Sequence, residues 1–271
     1  MALVSVARRL LKGAVQTGRA QVATARLCCE RYALSVVGRR ASREGGRILC
    51  YHSLGQPQWG VNDVSPARFR RHLELALNAG YRFVPANEIA ATGGRPNELA
   101  ITFDDGLKSV GSVAAPVLAE LGLPWSLYVV SSWADRSGDR AWAEEHMLSW
   151  QQIERLAQAG ADIGSHSVTH PDFSRLDRAQ VIDELGSSRE VIEKRLGISA
   201  RTFAVPFGQS KNWPTIAVEA AQAVGYQTVF AQAEATRPRG TVPRTFVTRF
   251  DNDRVFKALL SGAFDRWEEW F

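Results

Sequence analysis

Two short polar stretches carry the residues of this sequence that could perform chemistry together. Thr-Phe-Asp-Asp-Gly occupies residues 102–106, and Ser-His-Ser-Val-Thr-His-Pro occupies residues 165–171. Together they supply two imidazoles and one carboxylate for a divalent metal ion, and a second carboxylate beside it. Such an ion keeps coordination positions open for water and substrate, and the spare carboxylate can take a proton from that water. The pattern therefore predicts a metal-dependent hydrolase.

Further motifs lie on either side of these two stretches, in a series that covers roughly residues 47–250. Ile-Leu-Cys-Tyr-His at 48–52 precedes them, and Phe-Ala-Val-Pro-Phe-Gly at 203–208 follows them. In this order the sequence resembles the polysaccharide deacetylases that share the NodB homology domain, carbohydrate esterase family 4. The resemblance implies that Asp104 is the general base. It also implies that the metal ligands are Asp105, His166 and His170.

The general acid is marked by a different motif. In most of the family it is a His near the C-terminal end of the domain, but no His follows His170 here. In a permuted branch, which resembles the poly-N-acetylglucosamine deacetylases, the acid comes from a Tyr-His pair near the domain start. Tyr51 and His52 match that pair. The resemblance thus implies that His52 is the acid, with a structural His at a strand end as the alternative.

Residues 203–208 depart from the commonest family pattern at two positions. Ala204 stands where many members carry an Arg that orients the catalytic Asp, and Phe207 stands where they carry Tyr. The resemblance implies that Phe207 contributes its backbone N–H to an oxyanion hole, so the change of side chain is expected to be mild. The sequence leaves open which group orients Asp104.

The elements that must position these residues follow from an alternation of apolar runs and amphipathic stretches. Strand-like runs cover 47–53, 81–85, 99–103, 125–130, 161–165, 202–206, 226–231 and 241–248. Helical patterns cover 66–78, 107–121, 150–159, 178–196 and 214–224, and most are followed by a Gly that is typical of a helix C-cap. This alternation predicts an α/β fold, a single distorted (β/α) barrel with seven or eight strands.

The candidate site residues fall at equivalent places in this pattern. Each of them lies at or just past the C-terminal end of a predicted strand, where a (β/α) barrel assembles its active site; they are His52, Asp104, Asp105, His166 and Phe207. Residues 131–145 are expected to form a loop over the same face. A barrel at 47–271 would leave residues 1–46 as a separate N-terminal segment.

Charge is concentrated in that N-terminal segment. Residues 1–47 contain ten Lys or Arg against two Glu, whereas the remainder contains 23 basic and 26 acidic residues. A basic leader on a mildly acidic body argues against a nucleic-acid-binding domain. Apolar positions at helical spacing near the start predict an amphipathic helix, which could lie on an anionic membrane or pack on the barrel. A transit peptide shares this composition.

Composition and the missing export signal guide the remaining expectations. A chain of 271 residues with 45% hydrophobic content fits one large domain. No apolar stretch matches a secretory signal or a spanning helix, so we expect a cytoplasmic protein, with peripheral contact at the inner membrane surface as an option. Three cysteines, two of them adjacent, do not resemble a disulfide framework.

The resemblance implies that an N-acetylated glycan or amino sugar is the substrate and that the reaction is hydrolysis of its amide. Zn²⁺ is the default ion for two His and one carboxylate, although Co²⁺, Ni²⁺ and Fe²⁺ accept the same ligands. Four Trp could stack on sugar rings or serve in packing, namely Trp59, Trp133, Trp142 and Trp213. Two other functions stay open, a catalytically inactive glycan-binding barrel and a hydrolase of non-sugar amides.

Overall fold

Seven parallel strands close into a barrel in the computed structural model, which describes residues 21–37, 44–233 and 236–265. The ring runs β1, β10, β9, β8, β7, β6, β5 and back to β1, and β4 pairs with the start of β5 as an extra strand. The strands are β1 Arg47–Tyr51, β2 Ser53–Leu54, β3 Asp63–Val64, β4 Arg82–Phe83, β5 Glu98–Phe103, β6 Trp125–Val129, β7 Asp162–Ser165, β8 Thr202–Ala204, β9 Thr228–Gln232 and β10 Thr241–Phe246. This confirms the predicted distorted (β/α) barrel.

Helices cover the outside of the ring. Residues 21–37 form α1. The others are α2 Pro66–Asn78, α3 Ala86–Thr92, α4 Ala115–Leu121, α5 Ser131–Ala134, α6 Arg140–His146, α7 Trp150–Gln158, α8 Arg178–Leu196, α9 Thr215–Val224 and α10 Asp253–Leu260. Val110–Ala114, directly before α4, is π-helical. Ser65 begins α2 by accepting the Arg68 N–H, and Gly197 ends α8 at a φ of 64°, as the sequence pattern predicts.

Alternation along the strands divides the core into two layers. Leu49 and Tyr51 of β1 join the large cluster that packs against the helices, whereas Ile48 joins a smaller cluster with Ala100 and Phe230. Because successive side chains of a strand point to opposite faces, Cys50 and Thr102 share the inner face with Ile48 and Ala100. The barrel interior therefore becomes polar toward the C-terminal ends of its strands.

The segment 131–145 is not the loop that the sequence suggested. It contains α5 and most of α6, and Asp139 begins α6 by accepting the Trp142 N–H at 3.0 Å. The start of α5 is fixed by the Ser131 N–H, which donates to the Ser167 carbonyl at 3.1 Å. Helices this short depend on caps and tertiary contacts and show too few turns to give a periodic pattern, so the loop prediction was wrong.

The N-terminal segment is described in part. The predicted amphipathic helix near the start falls on residues 1–20, which lie outside the described residues, as do 38–43. Residues 21–37 pack on the barrel as α1. None of the described helices is both long and apolar enough to cross a membrane. The boundary at residue 46, a membrane contact and a cytoplasmic location stay predictions.

Candidate active site

One cleft of about 860 Å³ opens at the C-terminal ends of the barrel strands. His52 follows β1, the two Asp follow β5, and His166 follows β7. Because all these strands are parallel, their C-terminal ends meet at one face of the barrel. The structure brings every predicted site residue to the lining of this cleft, namely His52, Asp104, Asp105, His166, His170 and Phe207.

Three of these residues form a compact group of ligand atoms. Oδ1 of Asp105 lies 3.5 Å from Nε2 of His166 and 3.6 Å from Nε2 of His170. A tetrahedral ion with nitrogen and oxygen ligands at about 2.1 Å holds them about 3.4 Å apart. Both distances from Asp105 are thus close to the separation that a divalent transition metal requires, and the three ligand atoms all lie within 4.8 Å of one another.

The protonation of the two imidazoles also fits a metal ligand. Nδ1 of His166 lies 2.8 Å from the carbonyl oxygen of Ala204, so it carries the proton and donates it, leaving the Nε2 lone pair on the side of Asp105. Burial lowers the pKa of His166 to about 3 and also lowers that of His170. Both rings are therefore neutral at pH 7, which is the form that binds a metal.

Asp105 needs a cation more than its two partners do. Burial is the largest effect on its carboxyl and, together with the charge of Asp104, outweighs the opposing effects of His52 and Arg244, so the pKa of Asp105 rises to about 6. Neutral imidazoles cannot compensate a buried negative charge. A divalent ion between the three residues would supply that compensation, so the donor set fits the metal that the motifs predict.

The loop that carries the two His is held by its neighbours in an unusual conformation. His170 has a φ of 60° and Asp105 a φ of 71°, in the left-handed region that non-glycine residues rarely adopt. Glu184 of α8 accepts the N–H groups of Val168 and Thr169 at 2.8 and 3.0 Å. Such strain persists only where surrounding contacts determine the backbone, which is common at functional sites.

Arg244 of β10 is the group that orients Asp104. Its Nη1 donates to Oδ1 at 2.6 Å and its Nη2 donates to Oδ2 at 2.7 Å, in a bidentate pair with both side chains buried. Nη1 lies 3.2 Å from the Thr102 hydroxyl as well. Arg244 therefore holds the carboxylate in the way expected of the Arg that Ala204 replaces, from a strand on the other side of β1.

Arg244 also keeps Asp104 ionised. Burial alone would raise the pKa of this carboxyl, but the charge of Arg244, together with His166, its hydrogen bonds and His52, brings the pKa well below its ordinary value. Cys50 is a further neighbour, with Sγ 3.4 Å from Oδ2. An ionised carboxylate has about four lone-pair sites, so Asp104 retains capacity for another partner.

His52 follows β1 beside Asp104 and is half-buried. A ring nitrogen of His52, the thiol of Cys50 and a carboxylate oxygen of Asp104 lie within 4.8 Å of one another. The ring meets Phe246 edge-on at 5.4 Å, and in the described part of the chain its Nδ1 has no hydrogen-bond partner. The imidazole thus lies at the site with its Nδ1 unused by the other described residues.

Phe207 occupies a tight turn beyond β8. Its φ is 63°, its side chain is exposed, and its ring contacts that of His170 at 4.7 Å. The turn is held by the Gly208 N–H, which donates to the Val205 carbonyl at 3.0 Å, and by the Gln232 N–H, which donates to the Gly208 carbonyl. The backbone of Phe207 is therefore placed firmly beside a predicted metal ligand.

Aromatic side chains form one side of the cleft. Trp133 stacks on His170 at 5.5 Å, Trp142 contacts both Trp133 and Trp59, and Trp59 and Trp133 line the cleft. Trp213 is only 2% exposed and stacks on Phe203 in the core, so packing is its role of the two that the sequence left open. Its sequence neighbours are polar, but the apolar partners come from distant segments.

The Arg244 pair makes a testable contribution to stability. We expect Arg244→Gln to lower the free energy of unfolding by about 3–5 kcal/mol, because it leaves Asp104 charged and buried without its partner. Arg244 depresses the pKa of Asp104, so its contribution is fully present above the ordinary carboxylate pKa of about 4 and diminishes as the pH falls below it. Urea denaturation of the metal-free protein at pH 7 and pH 3 measures both effects.

Arg175→Gln is the matched control, because Arg175 lines the same cleft but pairs with Asp172 at a largely exposed position. We expect it to change the stability by less than about 1 kcal/mol. Equal effects of the two substitutions would contradict the role given to Arg244.

A known protein family matches the part of the chain that carries most of the candidate site. The polysaccharide deacetylase family model matches residues 92–229, about half of the chain. That range contains Asp104, Phe207 and the three predicted metal ligands, whereas His52 and Arg244 lie outside it.

Relatives among curated proteins are moderately similar. YxkH of Bacillus subtilis, which is named as a polysaccharide deacetylase, is 25% identical over 66% of this chain and 62% of its own. Chitin deacetylase 1 of Cryptococcus neoformans is 26% identical over 41% of this chain and 21% of its own. The chain thus covers less than two thirds of the length of these relatives.

Two solved structures cover most of the chain. The deacetylase PplD of Streptococcus pyogenes, in complex with acetate, has a TM-score of 0.66 at 20% identity and covers 79% of this chain and 96% of its own. IcaB from Ammonifex degensii has a TM-score of 0.65 at 23% identity, with coverages of 81% and 97%. Both likenesses show the shared fold.

Proposed function

The chain belongs to the polysaccharide deacetylase family, and from this premise we propose that it is a metal-dependent N-deacetylase. It would remove acetyl groups from N-acetylated amino sugars in a glycan or a polysaccharide precursor. The observation that carries this proposal is the convergence of Asp105, His166 and His170 at metal-ligand separations, directly beside a second carboxylate that is held outside the ligand set. Metal binding and base catalysis need these two carboxylates in different roles.

Asp105, His166 and His170 would hold the ion, with Zn²⁺ as the expected metal and Co²⁺, Ni²⁺ or Fe²⁺ as alternatives. When bound, a divalent ion there supplies Lewis acidity that polarises the acetamido carbonyl and lowers the pKa of a nearby water. The protein's own contribution is to keep both imidazoles neutral and to aim their Nε2 atoms at Asp105.

Asp104 is the proposed general base. Its low pKa keeps it in the proton-accepting form at any working pH, and Arg244 fixes the plane of its carboxylate while leaving lone-pair capacity toward the cleft. Asp104 removes a proton from the attacking water. The carbonyl oxygen, which becomes negative as water adds, receives a hydrogen bond from the backbone N–H of Phe207.

His52 is the proposed general acid. A nitrogen of its ring lies within 4.8 Å of a carboxylate oxygen of Asp104, and its unpartnered Nδ1 and half-buried ring leave it able to donate a proton. Cleavage of the C–N bond requires protonation of the departing sugar amine, which an imidazolium can supply. Asp104 and His52 therefore divide base and acid chemistry between two groups.

Trp59 and Trp133 support a sugar as the substrate. Both line the cleft, and Trp133 lies against the ligand His170, so an aromatic face stands next to the reacting position. Aromatic rings bind the apolar faces of flat ligands while leaving polar groups to hydrogen-bond elsewhere. The names of the relatives, polysaccharide and chitin deacetylases, agree with this substrate class.

The proposal is tested by two measurements on purified protein. Elemental analysis should find one divalent transition metal per chain, and chitin oligomers should release free amine and acetate. If the protein binds metal and hydrolyses small cyclic or linear amides but not acetylated sugars, it is a hydrolase of non-sugar amides. Oligomer binding without metal or amine release would identify an inactive glycan-binding barrel.

His52→Ala tests the acid separately. We expect the variant to keep metal and fold but to lose about 10² in kcat, the usual effect of removing a positioned general acid. The alkaline limb of the pH–rate profile, which would report deprotonation of His52, should weaken or vanish. Steady-state kinetics of amine release between pH 5 and pH 10 provides the measurement.

His146→Ala is the control for this variant, because His146 is another imidazole beside the cleft and contacts Trp59 and Trp142. We expect it to retain kcat and the alkaline limb. A His52→Ala enzyme with parent activity and an unchanged profile would make His52 structural and redirect attention to His146.

A further inference from the structure

Helix α1 presents one regular face to the barrel. Leu27, Arg31 and Ser35 are buried at four-residue spacing, and Ala23 and Thr24 are half-buried one turn earlier. Positions between them, such as Ala25, are exposed. A helix with buried positions every three to four residues is packed along its length.

A buried ion pair fixes this face to the segment between β10 and α10. Nε and Nη2 of Arg31 donate to the two carboxylate oxygens of Asp251 at 2.6 and 2.5 Å, and neither side chain is exposed. Asp251 also accepts the N–H and hydroxyl of Thr248. Because separating such a pair would leave a charge buried and uncompensated, α1 is held to the barrel at a defined position.

The same anchor reaches the candidate active site. Nη2 of Arg31 donates to the carbonyl oxygen of Phe246 at 3.1 Å, and the ring of Phe246 is the one that contacts His52. Arg244, which orients Asp104, lies two residues earlier on this strand. The helix is therefore attached to the strand that carries part of the catalytic arrangement.

The N-terminal half of α1 lines the cleft itself. Ala23, Thr24 and Leu27 belong to the lining of the cavity that contains the proposed metal ligands. Its volume of about 860 Å³ is at the upper end of the roughly 300–1,000 Å³ that ligand pockets occupy, which leaves space beyond the acetyl-bearing sugar. Small and apolar residues on this wall match the apolar face of a pyranose ring.

We infer that α1 is a wall of the substrate cleft, and that Ala23 and Thr24 bind a sugar unit next to the one that is deacetylated. The inference rests on the proposed function, because it assigns this wall to an oligosaccharide. It makes a part of the N-terminal segment a specificity-determining element of the enzyme. Residues that contact only the neighbouring sugar should affect oligomer binding more than the chemical step.

Ala23→Trp tests this wall, with Ala25→Trp as the matched control on the exposed face of the same helix. Calorimetry with the N-acetylglucosamine pentamer and kinetics with a small aryl acetate are measured on both. The indole of Ala23→Trp should occupy space at this wall and weaken pentamer binding about tenfold or more, since overpacking a fitted site typically costs that much. Aryl acetate hydrolysis and all parameters of Ala25→Trp should match the parent.

Each outcome has a defined meaning. Equal pentamer affinity of Ala23→Trp and Ala25→Trp overturns the inference, as does a parent that binds no pentamer. A parent that binds the pentamer without releasing acetate overturns the proposed function, and the two affinities still decide the role of α1. If Ala23→Trp melts at a lower temperature than its control, the smaller pair Ala23→Leu and Ala25→Leu decides by the same comparison.

Discussion

Replacing Asp105, His166 or His170 with Ala is expected to abolish metal retention and, with it, hydrolysis. Zinc binding to a structural site with four ligands is favourable by about 10–16 kcal/mol, which is about 3 kcal/mol for each ligand. Removing one ligand should therefore raise the Kd for the metal about 10²-fold or more. Asp105→Ala should weaken metal binding most, because Asp105 is the charged ligand and both imidazoles lie close to its Oδ1. Elemental analysis after gel filtration gives the occupancy, and amine release gives the activity.

His146→Ala is the matched control, since it removes an imidazole near the cleft whose ring contacts, among the described residues, are with Trp59 and Trp142. It should retain one metal per chain. Circular dichroism must accompany each variant, because His166 is buried and its ring donates to the Ala204 carbonyl. Full occupancy in all three ligand variants would refute the assignment of the metal centre.

Most of the barrel could be predicted from the sequence because its strands are parallel and buried. Such strands form nearly continuous apolar runs, as in β5 at Glu98–Phe103, where every residue is buried. Left-handed glycines such as Gly122 and Gly197 mark where helices end. The site followed from the same pattern, since polar residues after parallel strands must meet at one face.

Arg244 could not be predicted as the partner of Asp104 because the two are 140 residues apart and joined only by closure of the ring. One signal was present. Arg244 lies inside a predicted strand and on the same face as Val242 and Phe246. A charge buried at such a position is costly unless an opposite charge pairs with it. An unexplained basic residue within a barrel strand is therefore a reason to look for a buried carboxylate.

The contacts of α1 could not be predicted either, because Arg31 does not stand out from its sequence neighbours. Arg31 lies among many basic residues, and composition gives every one of them the appearance of a solvent-facing charge. Only the tertiary structure shows that Arg31 meets Asp251 across 220 residues and is fully buried. The burial of a single Arg does not alter the hydrophobic periodicity of a segment. An exposed basic segment and a helix packed on the barrel therefore look alike in sequence.

Asp104→Asn is expected to keep the metal and to lower kcat by about 10³, within the range for loss of a positioned general base. The amide has nearly the same shape but cannot take a proton from water at neutral pH. The three proposed metal ligands are unchanged by this substitution, so occupancy should remain at one ion per chain. Kinetics of amine release, elemental analysis and pentamer affinity together separate chemistry from binding.

Asp172→Asn is the matched control, because Asp172 is another carboxylate of the cleft lining. It accepts the N–H and hydroxyl of Ser174, which an Asn oxygen can also accept, so activity should stay near the parent value. An Asp104→Asn enzyme with parental turnover would show that another group is the base.

The same variant decides which neighbouring carboxylate is the ligand and which is the base. Nε2 of His166 lies 3.9 Å from Oδ2 of Asp104 and 3.5 Å from Oδ1 of Asp105, so distance alone separates the two only slightly. The stronger argument is the Arg244 pair, because a guanidinium that binds both oxygens of Asp104 opposes a second cation there. If Asp104→Asn lost the metal as fully as Asp105→Ala, that argument would fail and the two roles would have to be exchanged or shared.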